Sequence, residues 1–228
     1  MQMPEVAGSL WSVAPDDQLE EAKRLGLAGL RRLHWDMSDG KFANPGGFTA
    51  DSARELTQGT GLAAEAHIMA VDPLRAVDPW TEFCDLVIVH IESQNWKKAV
   101  DRIASRGCIP GIAISPSTPA KAVPADLTVL CMTITPGTAG SAFNDGVLQK
   151  LPTLREQSPD RRLGLDGGVQ RSHAQRAEQA GADWLVVGTD LFRHSGELLW
   201  ADLLDRRPTS RQRGGRVLPE SPARRCSP

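Results

Sequence analysis

Residues 85–107 read DLVIVHIESQNWKKAVDRIASRG, an apolar run followed by a charged amphipathic stretch and a glycine. The run Asp85–His90 predicts a strand, because it is short, apolar and rich in β-branched residues. The stretch Asn95–Arg106 predicts a helix, since its apolar residues recur every three or four positions. Gly107 then provides the glycine that commonly ends a helix. The stretch therefore predicts one strand–helix unit, and the fold depends on how often that unit recurs.

The same alternation of apolar and amphipathic stretches continues in both directions and produces eight such units. The predicted strands are Val6–Trp11, Leu30–Asp36, Leu62–Met69, Asp85–His90, Ile109–Ile114, Thr128–Ile134, Arg162–Asp166 and Trp184–Val187. The predicted helices are Asp16–Leu25, Thr49–Gln58 with Thr49 as its N-cap, Pro73–Phe83, Asn95–Arg106, a short one near Thr118–Ala122, Asp145–Gln157, Ser172–Ala180 and Leu191–Leu204. Parallel strands need long crossover connections, so this alternation favours a parallel sheet.

Eight strand–helix units in a chain of 228 residues predict an α/β fold, namely a (β/α)8 TIM barrel. An open doubly wound sheet is the second interpretation. No GxGxxG follows the first predicted strand, which weakens a dinucleotide-binding version of that sheet. We expect one catalytic barrel domain over residues 1–205. Residues 206–228 are rich in arginine and proline and lack apolar periodicity, so we expect a disordered tail there.

The composition, with 40% hydrophobic and 24% charged residues and a net charge of −2, is typical of a soluble globular protein. This balance predicts no nucleic-acid partner. No apolar run reaches the ~18–20 residues of a membrane span, and the N-terminal segment lacks the features of a signal peptide. The four cysteines form no CxxC pair. We therefore expect a cytoplasmic protein that has no membrane partner and no disulfide framework.

Side chains able to take part in chemistry occupy the positions where the predicted strands end, and that face of a (β/α)8 barrel carries the active site. They are Ser9, His34, Asp36, His67, His90, Glu92, Ser115 and Asp166. His34 and Asp36 lie two residues apart, so they share the inward face of their strand. With His67 and Asp166 they provide two imidazoles and two carboxylates. Such a set suits one divalent ion of zinc, manganese, iron or cobalt.

Glycine-rich turns follow the last three predicted strands. The sixth strand leads into TPGTAGS at Thr135–Ser141, the seventh ends in DGG at Asp166–Gly168, and the eighth leads into Gly188-Thr189. Backbone N–H groups in such turns bind anions, and the last strands of a (β/α)8 barrel often carry a phosphate site. The turns after the sixth and eighth strands therefore predict a phosphate site, whereas DGG either lets the backbone approach a ligand closely or forms only a tight turn.

Eight short motifs, taken in order, resemble the ribulose-phosphate 3-epimerase family from about Ala7 to Phe192. They are GSL (Gly8–Leu10), HWDMSDGKF (His34–Phe42), AHIMAVDP (Ala66–Pro73), VHIES (Val89–Ser93), GIAISPSTP (Gly111–Pro119), MTITPGTAG (Met132–Gly140), DGGV (Asp166–Val169) and AGADWLVVGTDLF (Ala180–Phe192). The resemblance implies one divalent metal ion per subunit, held by His34, Asp36, His67 and Asp166. It further implies that Asp36 and Asp166 are the catalytic acid/base pair, one on each face of the substrate.

The resemblance also implies a phosphorylated ketose as substrate and a homo-oligomeric assembly. The implied substrate-binding residues are Ser9, His67, Met69, Gly137, Thr138, Ala139, Gly140, Ser141, Asp166, Gly167, Gly168, Gly188 and Thr189. The implied reaction interconverts D-ribulose 5-phosphate and D-xylulose 5-phosphate through a metal-stabilised enediolate.

Departures from the family pattern leave the natural sugar open. Met37-Ser38 follows Asp36 where the family has Val-Met, and TPGTAGS at Thr135–Ser141 replaces Asn/Glu-Pro-Gly-Phe-Gly-Gly-Gln. A 3-epimerase of another ketose phosphate, such as allulose 6-phosphate, is therefore a second interpretation. A related phosphate-binding barrel lyase is a third, although such lyases usually place a lysine at a strand end and here only Lys41 lies nearby, in a loop. A binding module without catalysis would leave the four candidate ligands without a use.

Overall fold

The expected barrel is present in the computed structural model of the chain, which describes residues 3–205. Its eight parallel strands are β1 (Glu5–Ser9), β2 (Arg32–Ser38), β3 (Ala63–Met69), β4 (Leu86–His90), β5 (Ile109–Ile114), β6 (Thr128–Met132), β7 (Leu163–Asp166) and β8 (Trp184–Val187). Each strand pairs with the next in sequence, and β1 pairs with both β2 and β8, which closes the sheet. The (β/α)8 prediction is therefore confirmed, and the open doubly wound sheet is excluded.

Helices follow most of the strands, whereas only 3-10 turns follow β3 and β5. The α-helices are α1 (Gln18–Leu27), α2 (Ala50–Thr60), α3 (Trp96–Ser105), α4 (Lys150–Gln157), α5 (Ala174–Ala180), α6 (Thr189–Phe192), α7 (Gly196–Leu199) and α8 (Ala201–Leu204). Thr49 caps α2 as predicted, since its side-chain oxygen accepts a hydrogen bond from the Ser52 N–H at 3.2 Å. This bond satisfies one of the donors that a helix start leaves without an internal partner.

Two predicted helices are wrong as continuous elements. Pro73–Phe83 forms two 3-10 turns, Pro73–Arg75 and Trp80–Glu82, because Pro79 lacks an N–H and disfavours helical geometry in the preceding residue. The predicted helix Leu191–Leu204 is divided among α6, α7 and α8. It breaks at Ser195, whose φ of +61° is incompatible with a right-handed helix. Three further predicted helical stretches form or begin as 3-10 turns, at Ala120–Ala122, Asp145–Gln149 and Arg171–His173.

Successive side chains of each strand point alternately into the barrel and out toward the helices, and this divides the core into two layers. Inside the barrel the apolar layer consists of Ala7, Leu86, Ile88, Ala113, Leu130, Met132, Trp184 and Val186. On the other face, Trp35 of β2 is fully buried, and its Nε1 donates to Thr57 Oγ1 of α2 at 3.0 Å. Since Trp35 points to the helices, its neighbours His34 and Asp36 both point into the barrel, as the period of two predicts.

The loop after β2 is tied to the loop after β3 at the same end of the barrel. The Asp39 carboxylate accepts hydrogen bonds from the N–H groups of Lys41 (2.9 Å), Phe42 (2.8 Å) and Val71 (2.8 Å). Gly46–Gly47 then forms a two-residue antiparallel strand beside the end of β2. These contacts position the chain that follows the two candidate ligands of β2.

Among residues 3–205, no helix is long and apolar enough to cross a membrane. The tail predicted at residues 206–228 lies outside the described residues.

Replacing Gly164 with alanine should destabilise the barrel interior. A Cβ at Gly164 would lie closer than 3.0 Å to the indole ring of Trp184, which is fully buried. Trp184 cannot move aside easily, because its Nε1 donates to Glu65 at 3.1 Å. We expect Gly164→Ala to lower the free energy of unfolding by about 3 kcal/mol, measured by urea denaturation.

Gly26→Ala provides the matched control, because a Cβ at Gly26 in α1 would meet Leu62 at an ordinary 3.5 Å. We expect this change to leave stability unchanged or to raise it by up to about 1 kcal/mol, since alanine favours a helix over glycine. Equal stability of the Gly164→Ala variant and the unmodified protein would contradict the packing described for Trp184.

Candidate metal centre and phosphate pocket

The four candidate metal ligands meet at the carboxyl-terminal end of the barrel. His34 and Asp36 lie on β2, His67 lies on β3, and Asp166 is the last residue of β7. The register of β2 and β3 places Asp36 directly beside His67. One ligand atom from each of the four residues lies within 4.8 Å of those from the other three. This spacing allows all four to contact a single ion.

Two carboxylates face two imidazole nitrogens across this space. Asp36 Oδ1 lies 3.1 Å from His67 Nδ1 and 3.4 Å from His34 Nε2. Asp166 Oδ2 lies 3.6 Å from His67 Nδ1 and 3.9 Å from His34 Nε2. The second oxygen of Asp36, Oδ2, accepts a hydrogen bond from Ser9 Oγ at 3.0 Å. Ser9 therefore orients Asp36 without occupying the oxygen that faces the imidazoles.

Glu65 supports His34 from inside the barrel. Both side chains are fully buried, and Glu65 Oε1 lies 2.8 Å from His34 Nδ1. Because a carboxylate accepts hydrogen bonds, Nδ1 carries a proton and Nε2 points toward Asp36 and Asp166. Within residues 3–205, no hydrogen-bond partner satisfies this buried Nε2. A buried nitrogen without a partner, facing two carboxylates, fits a site for a divalent cation.

Burial and charge give the two aspartates different protonation behaviour. Burial, together with the charge of Asp36, raises the pKa of Asp166 to about 7. Burial also acts to raise the pKa of Asp36, but the nearby His34 and His67 outweigh it and hold this pKa below its usual range. With no ion between them, the two carboxyl groups can therefore share one proton near neutral pH.

A second line of polar contacts extends from His67 away from the metal ligands. His67 Nε2 lies 2.9 Å from His90 Nε2, and His90 Nδ1 lies 2.9 Å from Glu92 Oε2. Glu92 Oε1 accepts hydrogen bonds from the Ser115 N–H at 2.8 Å and from the Thr118 hydroxyl. The ring nitrogen of His67 that faces away from the metal ligands therefore contacts His90, just as the corresponding nitrogen of His34 contacts Glu65.

A cavity of about 620 Å³ opens beside the two aspartates. The predicted site residues that line it are Ser9, Asp36, Met69, Gly137, Ala139, Gly140, Ser141, Asp166, Gly167, Gly168, Gly188 and Thr189. His34 and His67 are not among the lining residues and lie fully buried. Thr138 is also outside the lining, and its hydroxyl donates to the Thr135 carbonyl at 2.6 Å. The three glycine turns and both aspartates therefore share one cavity.

Several contacts and lining residues near the site were not predicted from the sequence. Glu65 precedes His67 by two positions on the same strand, so the period of two could have indicated it. The sequence places His90 and Glu92 at a strand end, but no spacing rule predicts their contact with His67 on the neighbouring strand. The cavity is also lined by Trp11, Phe143, His173 and Arg193, which no sequence pattern assigned to the site.

Comparison with known proteins shows similarity over nearly the whole described chain. The cytoplasmic isoform of ribulose-phosphate 3-epimerase from Oryza sativa subsp. japonica is 31% identical over 183 residues, covering 75% of this chain and 80% of that protein. Ribulose-phosphate 3-epimerase from Methanocaldococcus jannaschii is 31% identical over 199 residues, covering 83% of this chain and 85% of that protein.

Solved structures show the shared fold. The 3-hexulose-6-phosphate synthase from Salmonella typhimurium aligns with a TM-score of 0.66 at 13% identity, covering 88% of this chain and 98% of that chain. Phosphoribosyl anthranilate isomerase from Thermus thermophilus aligns with a TM-score of 0.61 at 19% identity, covering 88% of this chain and 96% of that chain. The model of the ribulose-phosphate 3 epimerase family matches residues 5–192. The chain therefore belongs to the ribulose-phosphate 3-epimerase family, a family of isomerases.

Proposed function

We propose that the protein is a metal-dependent ketose-phosphate 3-epimerase and that it interconverts D-ribulose 5-phosphate and D-xylulose 5-phosphate. The observation that carries this proposal is the cluster of His34, Asp36, His67 and Asp166, whose ligand atoms lie within 4.8 Å of one another beside the cavity. Family membership supports the same reaction class. From the family relationship alone we also propose a cytoplasmic homo-oligomer.

The four residues would hold one divalent ion of zinc, manganese, iron or cobalt, because two imidazoles and two carboxylates match the preferences of these metals. Such an ion, when bound, supplies positive charge that stabilises the enediolate formed from the substrate. Glu65 and Ser9 serve this site indirectly, since they orient His34 and Asp36. The protein thereby prearranges its ligands before substrate enters.

Inversion at C3 needs a proton removed from one face of the sugar and a proton delivered to the other. Asp36 on β2 and Asp166 on β7 both line the cavity and approach it from different strands. We assign them alternating roles as base and acid, according to the direction of reaction.

We place the substrate phosphate at the three glycine turns, where backbone N–H groups can donate to its oxygens. Gly137, Gly167 and Gly168 have positive φ values of +76°, +108° and +61°, a conformation that glycine adopts without strain. The altered lining at Thr135–Ser141 favours a second candidate, a 3-epimerase of another ketose phosphate such as allulose 6-phosphate. The lyase alternative lacks support, because Lys41 is exposed and is not among the cavity-lining residues.

Proton NMR in D2O tests the reaction and its substrate. Metal-loaded protein is mixed in turn with ribulose 5-phosphate, allulose 6-phosphate and unphosphorylated ribulose, and deuterium is monitored at C3. We expect exchange with inversion on ribulose 5-phosphate and far slower exchange on ribulose. Faster reaction of allulose 6-phosphate would establish the second candidate. No C3 exchange on any ketose phosphate would contradict both, and cleavage products would indicate a lyase.

A further inference from the structure

We infer that Glu92 is a positioning residue that acts through His90 to fix which nitrogen of His67 carries the proton. The arrangement leaves the lone pair of His67 Nδ1 directed at the cluster formed by His34, Asp36 and Asp166. This inference rests on the proposed function, because it assumes that the cluster holds a metal ion. Neither His90 nor Glu92 lines the cavity, so neither is assigned contact with the substrate.

The direction of the hydrogen-bond chain is set at Glu92. Glu92 Oε1 receives two donors, the Ser115 N–H at 2.8 Å and the Thr118 hydroxyl. An ionised carboxylate only accepts hydrogen bonds, so its second oxygen, Oε2, also needs a donor. The atom available at 2.9 Å is His90 Nδ1, which therefore carries a proton.

The proton on His90 Nδ1 determines the remaining bonds. An imidazole with one proton has a donor at one nitrogen and an acceptor at the other, so His90 Nε2 accepts. His67 Nε2, which lies 2.9 Å away, must then donate. This leaves the lone pair of His67 at Nδ1, 3.1 Å from Asp36 Oδ1. The opposite order would place a lone pair of His90 against the Glu92 carboxylate.

The packing around His67 and His90 leaves these hydrogen-bonded side chains little freedom to rearrange. His67 and His90 are fully buried, and the Phe42 ring packs on the His90 ring with centroids 4.6 Å apart. Glu65 imposes the matching order on His34, whose Nδ1 it contacts at 2.8 Å. Two carboxylates outside the cluster therefore direct one nitrogen lone pair each toward the same space. Such outer contacts commonly govern both ligand orientation and metal affinity.

Glu92→Gln tests the inference because it should reverse the direction of the hydrogen bonds that join Glu92, His90 and His67. The Ser115 N–H can only donate, so it holds the carbonyl oxygen of the glutamine and turns its NH2 group toward His90 Nδ1. His90 would then carry its proton on Nε2, and that proton would oppose the Nε2–H of a metal-binding His67. We expect the affinity for Zn²⁺ alone, measured by competition with a chelator, to fall by about 10- to 100-fold. Glu197→Gln, which alters a half-buried pair with Arg24 far from the cluster in sequence, should leave zinc affinity unchanged.

Two further measurements separate positioning from a general structural role. Long-range 15N–1H NMR of zinc-loaded protein should show the His90 proton on Nδ1, and on Nε2 in the Glu92→Gln variant. His90→Phe should weaken zinc binding less than Glu92→Gln does, since it leaves His67 free to place its proton on either nitrogen. In a protein that already carries His90→Phe, adding Glu92→Gln should then lower zinc affinity little further.

A wild-type His90 proton on Nε2, or an equal loss of zinc affinity from Glu92→Gln in both backgrounds, would overturn the inference. These experiments use zinc and no sugar, so they are independent of the substrate. Tight zinc binding with the expected tautomers, but no exchange on any ketose phosphate, would refute the proposed function and leave the positioning role intact.

Discussion

Asp36→Asn and Asp166→Asn should each lower kcat for epimerisation by about 100- to 10,000-fold, the usual contribution of a general acid or base. Each change removes one of the two groups that move the C3 proton, and asparagine cannot replace an ionisable carboxyl group. The rate of inversion is followed by NMR with ribulose 5-phosphate as substrate, and the metal content of each variant is measured in parallel. Metal content is needed because both residues are also proposed ligands.

The two variants should differ from each other in a diagnostic way. Each keeps one carboxylate, so each should still exchange the C3 proton of one epimer with solvent faster than it inverts that epimer. The epimer that exchanges should differ between the two variants, because Asp36 and Asp166 act on opposite faces of the sugar. Asp51→Asn, in the exposed first turn of α2, is the control and should retain full activity. Full inversion by either metal-loaded site variant would contradict the two-carboxylate mechanism.

Gly168→Ala should raise KM for the phosphorylated substrate by about 30- to 100-fold with a smaller effect on kcat. Gly168 has φ of +61°, and a Cβ there would lie 2.5 Å from the Ser141 carbonyl oxygen. The change would therefore separate two of the turns that we propose to hold the phosphate. Loss of one or two hydrogen bonds to a charged group accounts for a KM change of this size.

Gly181→Ala separates backbone strain from loss of the phosphate site. Gly181 also has positive φ, +98°, but no atom of the described part of the chain lies within 4 Å of its added Cβ, and Gly181 is not among the cavity-lining residues. We expect some loss of thermal stability and an unchanged KM. Slow exchange on unphosphorylated ribulose should be equal in the Gly168→Ala and unmodified proteins. An unchanged KM for Gly168→Ala would contradict the proposed location of the phosphate.

Much of the fold follows from local patterns in the sequence. Strands such as β4 (Leu86–His90) contain a continuous apolar run because they are buried on both faces, and this makes them easy to recognise. The strand period also places His34 and Asp36 on the same face without any tertiary information. Their approach to His67 and Asp166 follows once the barrel is assumed, because parallel strands end at the same side.

The parts that the sequence does not predict depend on contacts between distant segments. The residues Leu191–Leu204 do show helical periodicity. The helix is nevertheless interrupted at Ser195, whose positive φ cannot be inferred from the spacing of apolar residues. The line from His67 through His90 to Glu92 joins β3 to the loops after β4 and β5. Single residues in those loops have no spacing that would indicate such a contact.

The most direct test of the metal-dependent mechanism is C3 exchange by metal-free and metal-restored protein. The protein is stripped with a chelator, its residual metal is measured, and deuterium incorporation at C3 of ribulose 5-phosphate is followed as Zn²⁺, Mn²⁺, Fe²⁺ or Co²⁺ is added. We expect almost no exchange without metal and a return of activity that is complete at about one ion per chain, because His34, Asp36, His67 and Asp166 form one site. Undiminished exchange by protein shown to be metal-free would contradict this mechanism.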